Sequence, residues 1–422
     1  MFPYSAFARE LEVETAFTVL AEARRLQQAG KEVIELEIGD SPFPTPQAAQ
    51  DAAVACIRTG HIHYGPSIGL PQLREAAAEM VRRDFGVEVT AEHITVGPGA
   101  KVFQVLFALA FLDPGDDVLV FEPYFPTYIP NVEARGARVH LAPLRQENRF
   151  RPDPEDIRRF LAQALRPKAI LLNSPHNPTG GVLTRQDIDT LAELLHDWDG
   201  MLFSDEPYCH MVWADRHHTP LQHPELFPKT VAAYTFSKSY SMSGWRLGFS
   251  VAPPPVAQML GNMMNVTLSC VPPMIQLAGQ AALEQSHRER EEMMAQFQRK
   301  VQRLAAGLQQ LEGVHCLVPE GAFYVFPNVA GVCNRLGITS HGLAMYLLQG
   351  ADDHLGVACL GGECFGGAGA GFLRLSCAEP DHRIDQALEF FPRAWSRTQR
   401  VARFLQQHPQ YRLSRPYPLP QA

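Results

Sequence analysis

The sequence has 422 residues, 46% of them hydrophobic, which is ample for one large core and a smaller second unit. Its 37 basic and 45 acidic residues leave a net charge of −8, which disfavours nonspecific attraction to DNA, RNA or anionic membranes and makes a small molecule the default partner. The eight cysteines include no CxxC pair, so neither a zinc knuckle nor a redox dithiol is spelled out and reduced, buried thiols are expected.

Along the chain, Met1–Glu10 shows no basic region followed by an apolar block, so no secretory signal is read and the cytoplasm is the expected compartment. Residues 15 to 30 carry Phe17, Leu20, Ala21 and Arg24 at helical spacing and stop at Gly30; Val33–Ile38 then reads as a strand running into Gly39–Asp40. From about residue 46 to 285, short apolar strands alternate with helices, the pattern of a parallel sheet covered on both faces. The strand candidates are 118–121, 169–172, 201–203, 231–236 and 247–251, with His93–Val96 strand-like before a helix from Val102 to Leu112. The longest apolar run, Val105 to Leu112, is too short to cross a bilayer.

Phe297, Val301, Leu304, Leu308 and Leu311 step by four, three, four and three, which predicts a long amphipathic helix over 286–312 linking two domains. Strands at 321–326 and 371–376, helices around 341–350 and 380–405, and a flexible Gly-rich loop from Gly361 to Gly371 make an α+β second domain. The expected organisation is therefore an N-terminal segment (1–45) packing with the small domain, a large domain (46–285), a linking helix and small domain (286–405) and an irregular tail (406–422).

Chemistry gathers where the large-domain strands end: Tyr124-Phe125, Asn177, Asp205 and Tyr208, then Lys238. Open α/β sheets bind ligands in the crevice beyond those ends. Lys238 alone would be an ordinary loop lysine, but the apolar run 231–236 delivers it from a buried strand, and Arg246 follows eight residues later. A reactive amine beside an anion-binding arginine suits Schiff-base chemistry. Gly97-Pro98-Gly99-Ala100-Lys101 opens a helix whose free N–H groups form an anion cradle, although it is no Walker or dinucleotide fingerprint. His61, His63, His217 and His218 lack ligand spacing, and no metal site is expected.

With His63 to Arg74, Asn173-Ser174-Pro175-His176-Asn177-Pro178-Thr179-Gly180, Ser204-Asp205-Glu206-Pro207-Tyr208 and Ser237-Lys238 through Gly248 in this order, the chain resembles the fold-type I aminotransferases, which depend on pyridoxal 5'-phosphate (PLP). The resemblance runs from about Gly39 to Arg374. It implies an α/β fold, a mainly parallel sheet of the seven-stranded type sandwiched by helices, with a smaller α+β domain. It implies that Lys238 holds PLP as a Schiff base and shuttles the proton, that Asp205 faces the pyridine nitrogen, and that Asn177 and Tyr208 bond the ring's phenolic oxygen. Phe125 would stack on the ring; Ser237, Arg246 and the backbone of Ala100 and Lys101 would hold the phosphate; Arg374 would grip the substrate carboxylate, with Gly39 and Asn177 beside it. Tyr64 would reach the phosphate of a neighbouring subunit, implying a homodimer with shared active sites. Pro207 and Ser243 depart from the family's usual aliphatic residue and threonine.

The implied reaction is ping-pong transfer of an amino group between an L-amino acid and a 2-oxo acid. A PLP-dependent carbon–sulfur (β) lyase is the alternative, since the same fold and cofactor residues serve both. A non-catalytic PLP-binding regulator is the third reading, and the roughly 40 residues before the large domain are short for an added DNA-binding module.

Overall fold

The computed structural model describes residues 2–11 and 14–420. Met1 of the N-terminal reading, Glu12 and Val13 of the expected N-terminal segment, and Gln421 and Ala422 of the tail lie outside the described residues.

Among the described residues, twelve strands occur in chain order: β1 Glu32–Glu35, β2 Ile94–Gly97, β3 Asp117–Glu122, β4 Arg138–Pro143, β5 Pro167–Asn173, β6 Met201–Asp205, β7 Thr230–Thr235, β8 Gly248–Val251, β9 Tyr324–Val325, β10 Leu355–Ala358, β11 Leu360–Gly361 and β12 Leu373–Ser376. Seven of them form the central sheet, in the order β2-β8-β7-β6-β5-β3-β4. All neighbours run parallel except β8, which is antiparallel to both β7 and β2. The fold is α/β, mainly parallel, and the reversed β8 is the departure from a uniformly parallel reading. Twelve residues, 236–247, separate β7 from the next strand and hold one short 3₁₀ turn but no α-helix to carry a crossover, so β8 returns antiparallel.

Period-two alternation explains why both faces are covered. Val118, Val120, Ala169 and Leu171 pack on one side with Phe103, Leu106 and Leu260, whereas Leu119, Phe121, Ile170 and Leu172 pack on the other with Ile157, Ile188 and Leu191. Strands with apolar residues on both faces cannot present either to water, so helices sandwich them.

A helix at His287–Leu308 buries Met293, Met294, Phe297, Val301, Leu304, Ala305 and Leu308 against the C-terminal core. Strands β11, β12 and β9 form a small antiparallel sheet. Strand β1 pairs in parallel with β10, and Ser376 N–H donates to the Leu36 carbonyl at 2.8 Å, so the N-terminal strand brings residues 36–40 alongside β12.

Three expectations change. The stretch 380–405 is two helices, Asp381–Ser396 and Thr398–Gln407, broken at Arg397, whose ψ of 59° is not helical. The glycine-rich stretch is not a free loop: it opens on the last residue of β11 and holds two short 3₁₀ turns, with Phe365 buried among Phe326 and neighbouring apolar residues. The tail is irregular but anchored, because Tyr417 Oη donates to Glu363 Oε1 at 2.6 Å.

Candidate active site

Beyond the C-terminal ends of β5, β6 and β7 lies a cleft of about 580 Å³, and Gly39, Ala100, Lys101, Phe125, Asn177, Asp205, Tyr208, Ser237, Lys238, Arg246 and Arg374 all border it. Eleven of the twelve expected site residues thus meet in one place although they span Gly39 to Arg374. The exception is Tyr64, which does not border this cleft and is 90% exposed.

Lys238 follows β7, and its Nζ donates to the Gly39 carbonyl at 2.6 Å. Gly39 is where β1 has led the chain past Tyr324, and a Cβ there would overlap the Tyr324 hydroxyl, so the close approach requires glycine.

Asp205 ends β6 and is buried at the cleft floor. Its Oδ2 accepts from Tyr128 Oη at 2.7 Å and Gln104 Nε2 at 3.2 Å, and Asn173 Nδ2 fixes its backbone carbonyl at 2.7 Å. Among the described residues its Oδ1 has no hydrogen-bond partner. Burial pushes the carboxyl up to about 6, against the pull of Tyr128 and Gln104. A buried carboxylate with one oxygen held and one unsatisfied suits a cationic N–H placed in the cleft.

At the mouth, Arg246 adopts φ 53°, a left-handed conformation rare outside glycine, with Nη1 donating to the Ser243 carbonyl at 2.8 Å. Its guanidinium lies so close over Gly99 that a Cβ on that residue would come within 2.6 Å of Nη2. The glycine at φ 84° therefore lets the turn bring the arginine and the start of the Lys101–Phe111 helix together. Ser237 completes this end, its Oγ accepting from Thr235 Oγ1 at 2.9 Å. Guanidinium, hydroxyl and free helix N–H groups form a cup suited to a phosphate dianion.

Arg374 lies on β12, buried, sandwiched by Tyr324 at 4.5 Å and Phe365 at 5.1 Å from ring centroid to guanidinium carbon. Its Nη1 donates to Asn177 Oδ1 at 3.2 Å and its Nη2 to the Glu37 carbonyl. A planar guanidinium clamped between two rings is oriented for a bidentate carboxylate. Tyr208 Oη is within 2.9 Å of Tyr324 Oη, and burial raises its hydroxyl well above the usual tyrosine range.

Tyr128, Gln104, Asn173, Tyr324 and Glu37 were not candidates from sequence. Tyr128 and Gln104 sit on helical segments where an inward residue reads as core, and only packing reveals that they face a carboxylate.

Glu37 is fully buried beside Arg374, and neither carboxylate oxygen has a partner among the described residues. Burial pushes its carboxyl from 4.5 to about 7; its own amide, short of hydrogen-bond geometry, and Arg374 pull weakly the other way. The folded state thus keeps a proton that the unfolded chain releases, so the contribution of Glu37 to stability is full below about pH 4.5 and is lost as pH rises through 7. The loss is about 3 kcal/mol. Glu37→Gln should therefore raise Tm relative to wild type at pH 8 and lose most of that advantage at pH 5; an equal difference at both pH values would contradict it.

The profile of the aminotransferase class I and II family matches residues 31–391. The chain belongs to this family. The aspartate aminotransferase of Pyrococcus horikoshii is 34% identical over 369 residues, covering 85% of this chain and 91% of that protein. The arginine–pyruvate transaminase of Pseudomonas aeruginosa is also 34% identical, covering 89% and 95%. In structure, the Thermus thermophilus aspartate aminotransferase with maleate superposes with a TM-score of 0.86 at 32% identity, covering 93% of this chain and all of that one. This aminotransferase acts on an amino acid and a 2-oxo acid. Two relatives of equal identity are named for different amino acids, so kinship leaves the donor side chain open. Among the described residues, no helix is long and apolar enough to cross a membrane.

Proposed function

We propose that this aminotransferase carries PLP on Lys238 and transfers an amino group by a ping-pong route, the donor leaving as a 2-oxo acid before the acceptor enters. The observation that carries the reading is the unsatisfied Oδ1 of Asp205, buried in the same cleft as Lys238 and Arg374. The residues present fit the cofactor: an acceptor for the ring N–H, a lysine amine, an aromatic face in Phe125 and an anion cup at Arg246. When bound, PLP supplies an electron sink for the pair left on the substrate Cα after its proton departs.

The protein's own groups do the rest. Arg374 holds the α-carboxylate and fixes which Cα bond faces Lys238. The Lys238 amine would serve as the acid–base group that takes the proton from the substrate Cα and gives it back on the cofactor side. Asp205 stays ionised against the ring N–H, while Asn177 and Tyr208 donate to the ring oxygen, each with bonding capacity left beyond its present partner. Ser237, Arg246 and the N–H groups of Ala100 and Lys101 anchor the phosphate. Tyr64, so exposed on the single chain, is read as a contribution to a partner's phosphate site in a homodimer. Residues 46–285 are read as the PLP-binding domain and 286–405 as the linking helix and small domain; β2 to β8 fall within the first and β9 to β12 within the second. The eight cysteines are free and six are buried, which suits a reducing cytoplasm.

The holoenzyme should show a visible cofactor band that shifts on adding an amino acid and returns with a 2-oxo acid, and it should sediment as a dimer. Pyruvate and ammonia released from a cysteine conjugate without any acceptor would favour the carbon–sulfur lyase instead. A band unmoved by all twenty amino acids would overturn the reading.

A further inference from the structure

Resting on that reading, the cleft also carries information about the donor side chain. Among the described residues that border it, the cations are Lys101, Lys238, Arg246 and Arg374. Three are committed: Lys238 to the cofactor, Arg246 to its phosphate and Arg374 to the α-carboxylate. Lys101 contributes its backbone to the phosphate cup, which leaves its ammonium as the one cation, among the described residues of this chain that border the cleft, that a distal substrate carboxylate could use.

That ammonium is already paired. Lys101 Nζ forms an ion pair with Glu14 Oε1, and it also stands 5.1 Å from the centroid of Phe125. Glu14 is the N-cap residue of the helix Thr15–Gln28, yet its side chain caps no backbone N–H there and reaches across the cleft instead. Its side chain is 19% exposed and that of Lys101 45%, so the contact sits at the cleft wall, partly shielded from water. Ala16 and Phe17 on the next turn, with Ile38 from the segment after β1, border the same cleft and are apolar. Asp40, the remaining acid at this end, adds no positive charge.

We infer that Glu14 determines specificity: by occupying Lys101 it leaves the side-chain end of the cleft without a free cation among the described residues of its own chain, so the donor is an amino acid with an uncharged, largely apolar side chain. A dicarboxylate must displace an internal carboxylate held at high effective concentration by its own chain. It also brings a second negative charge towards Glu14 and Asp40. An uncharged side chain breaks no ion pair and covers Phe17 and Ile38. A cationic side chain finds Glu14 already held by Lys101 and Asp40 exposed to water, where an ion pair gains little.

The test uses the holoenzyme in single-turnover half-reactions with leucine, phenylalanine, aspartate, glutamate, lysine and arginine. Leucine or phenylalanine should react with the highest kcat/KM. Glu14→Gln frees Lys101, so the glutamate-to-leucine ratio of kcat/KM should rise about 10- to 100-fold, the range of one charge-assisted hydrogen bond. Adding Lys101→Met to that variant should abolish the rise. Preference of the wild type for the dicarboxylates, or for lysine or arginine, would overturn the inference, as would a ratio unmoved in Glu14→Gln. Equilibrium binding of two unreactive analogues to the wild-type holoenzyme gives an independent readout: 3-phenylpropionate should bind more tightly than maleate, and the reverse order would overturn it. If no amino acid reacts at all, the transamination reading fails, and the two analogues still decide the question of charge.

Discussion

Replacing Lys238 with alanine should leave a folded protein that cannot transaminate. The amine's present hydrogen bond is to the Gly39 carbonyl at 2.6 Å, and the residue follows β7 rather than sitting inside it, so its truncation removes no strand pairing and creates no closed core cavity. Tm should therefore stay close to that of the wild type. Chemistry is another matter, because the reading gives this one group two jobs, covalent attachment and proton transfer. A positioned acid–base group alone accounts for about 10²- to 10⁴-fold in rate, and loss of the attachment adds to it. The half-reaction should fall by at least about 10⁴-fold, and borohydride should no longer fix the cofactor to the chain. A Lys238→Ala protein that still shifted its cofactor band at a measurable fraction of the wild-type rate would remove the central assignment.

The second large effect concerns Asp205. Asparagine in its place keeps the size and can still accept from Tyr128 or Gln104, but it has no negative charge to set against the ring N–H. Removing one partner from a buried charge pair costs about 3–5 kcal/mol, which is two to nearly four powers of ten if the loss falls on the transition state. Asp205→Asn should therefore retain PLP through the Arg246 cup, which it does not touch, while the single-turnover rate drops into that range. Asp205→Glu preserves the charge and should lose less. The pH profile supplies a check on the free carboxyl: burial holds it near 6, so the apoprotein's affinity for PLP should weaken as pH falls through that value and Asp205 takes up a proton. An Asp205→Asn variant with wild-type single-turnover rates, or an affinity indifferent to pH across this interval, would argue that the carboxylate only braces Tyr128 and Gln104.

Both predictions concern residues visible in the sequence, and the reason is positional. Asp205 and Lys238 close apolar runs, and in a parallel sheet the ends of adjacent strands are neighbours in space, so β6 and β7 deliver them to one crevice. The same logic covers Asn177 after β5 and the glycine turn after β2. Motif order along the chain was enough to name the family's residues, and hydrophobic period was enough to find the long helix at His287–Leu308. Strand direction was harder. Apolar runs mark β8 as buried but carry no sign of orientation, and its antiparallel pairing follows from the short return after β7.

What tertiary structure alone decided are the contacts between residues far apart in sequence that no local pattern links. Glu14 meets Lys101 across 87 positions, Tyr208 meets Tyr324 across 116, and Arg374 meets Asn177 across 197. Glu37 looks like any polar residue in an alternating strand until β1 pairs with β10 and seals it beside Arg374. The sequence by itself determined that Asn177, Asp205 and Lys238 reach one crevice, because they follow or close adjacent apolar strands whose ends are neighbours in space. Which charges are already neutralised there, and so which substrate side chain the cleft can accept, depends on pairings made when distant segments pack. Electrostatic energy depends on distance and burial in space, and neither is written in the order of the residues.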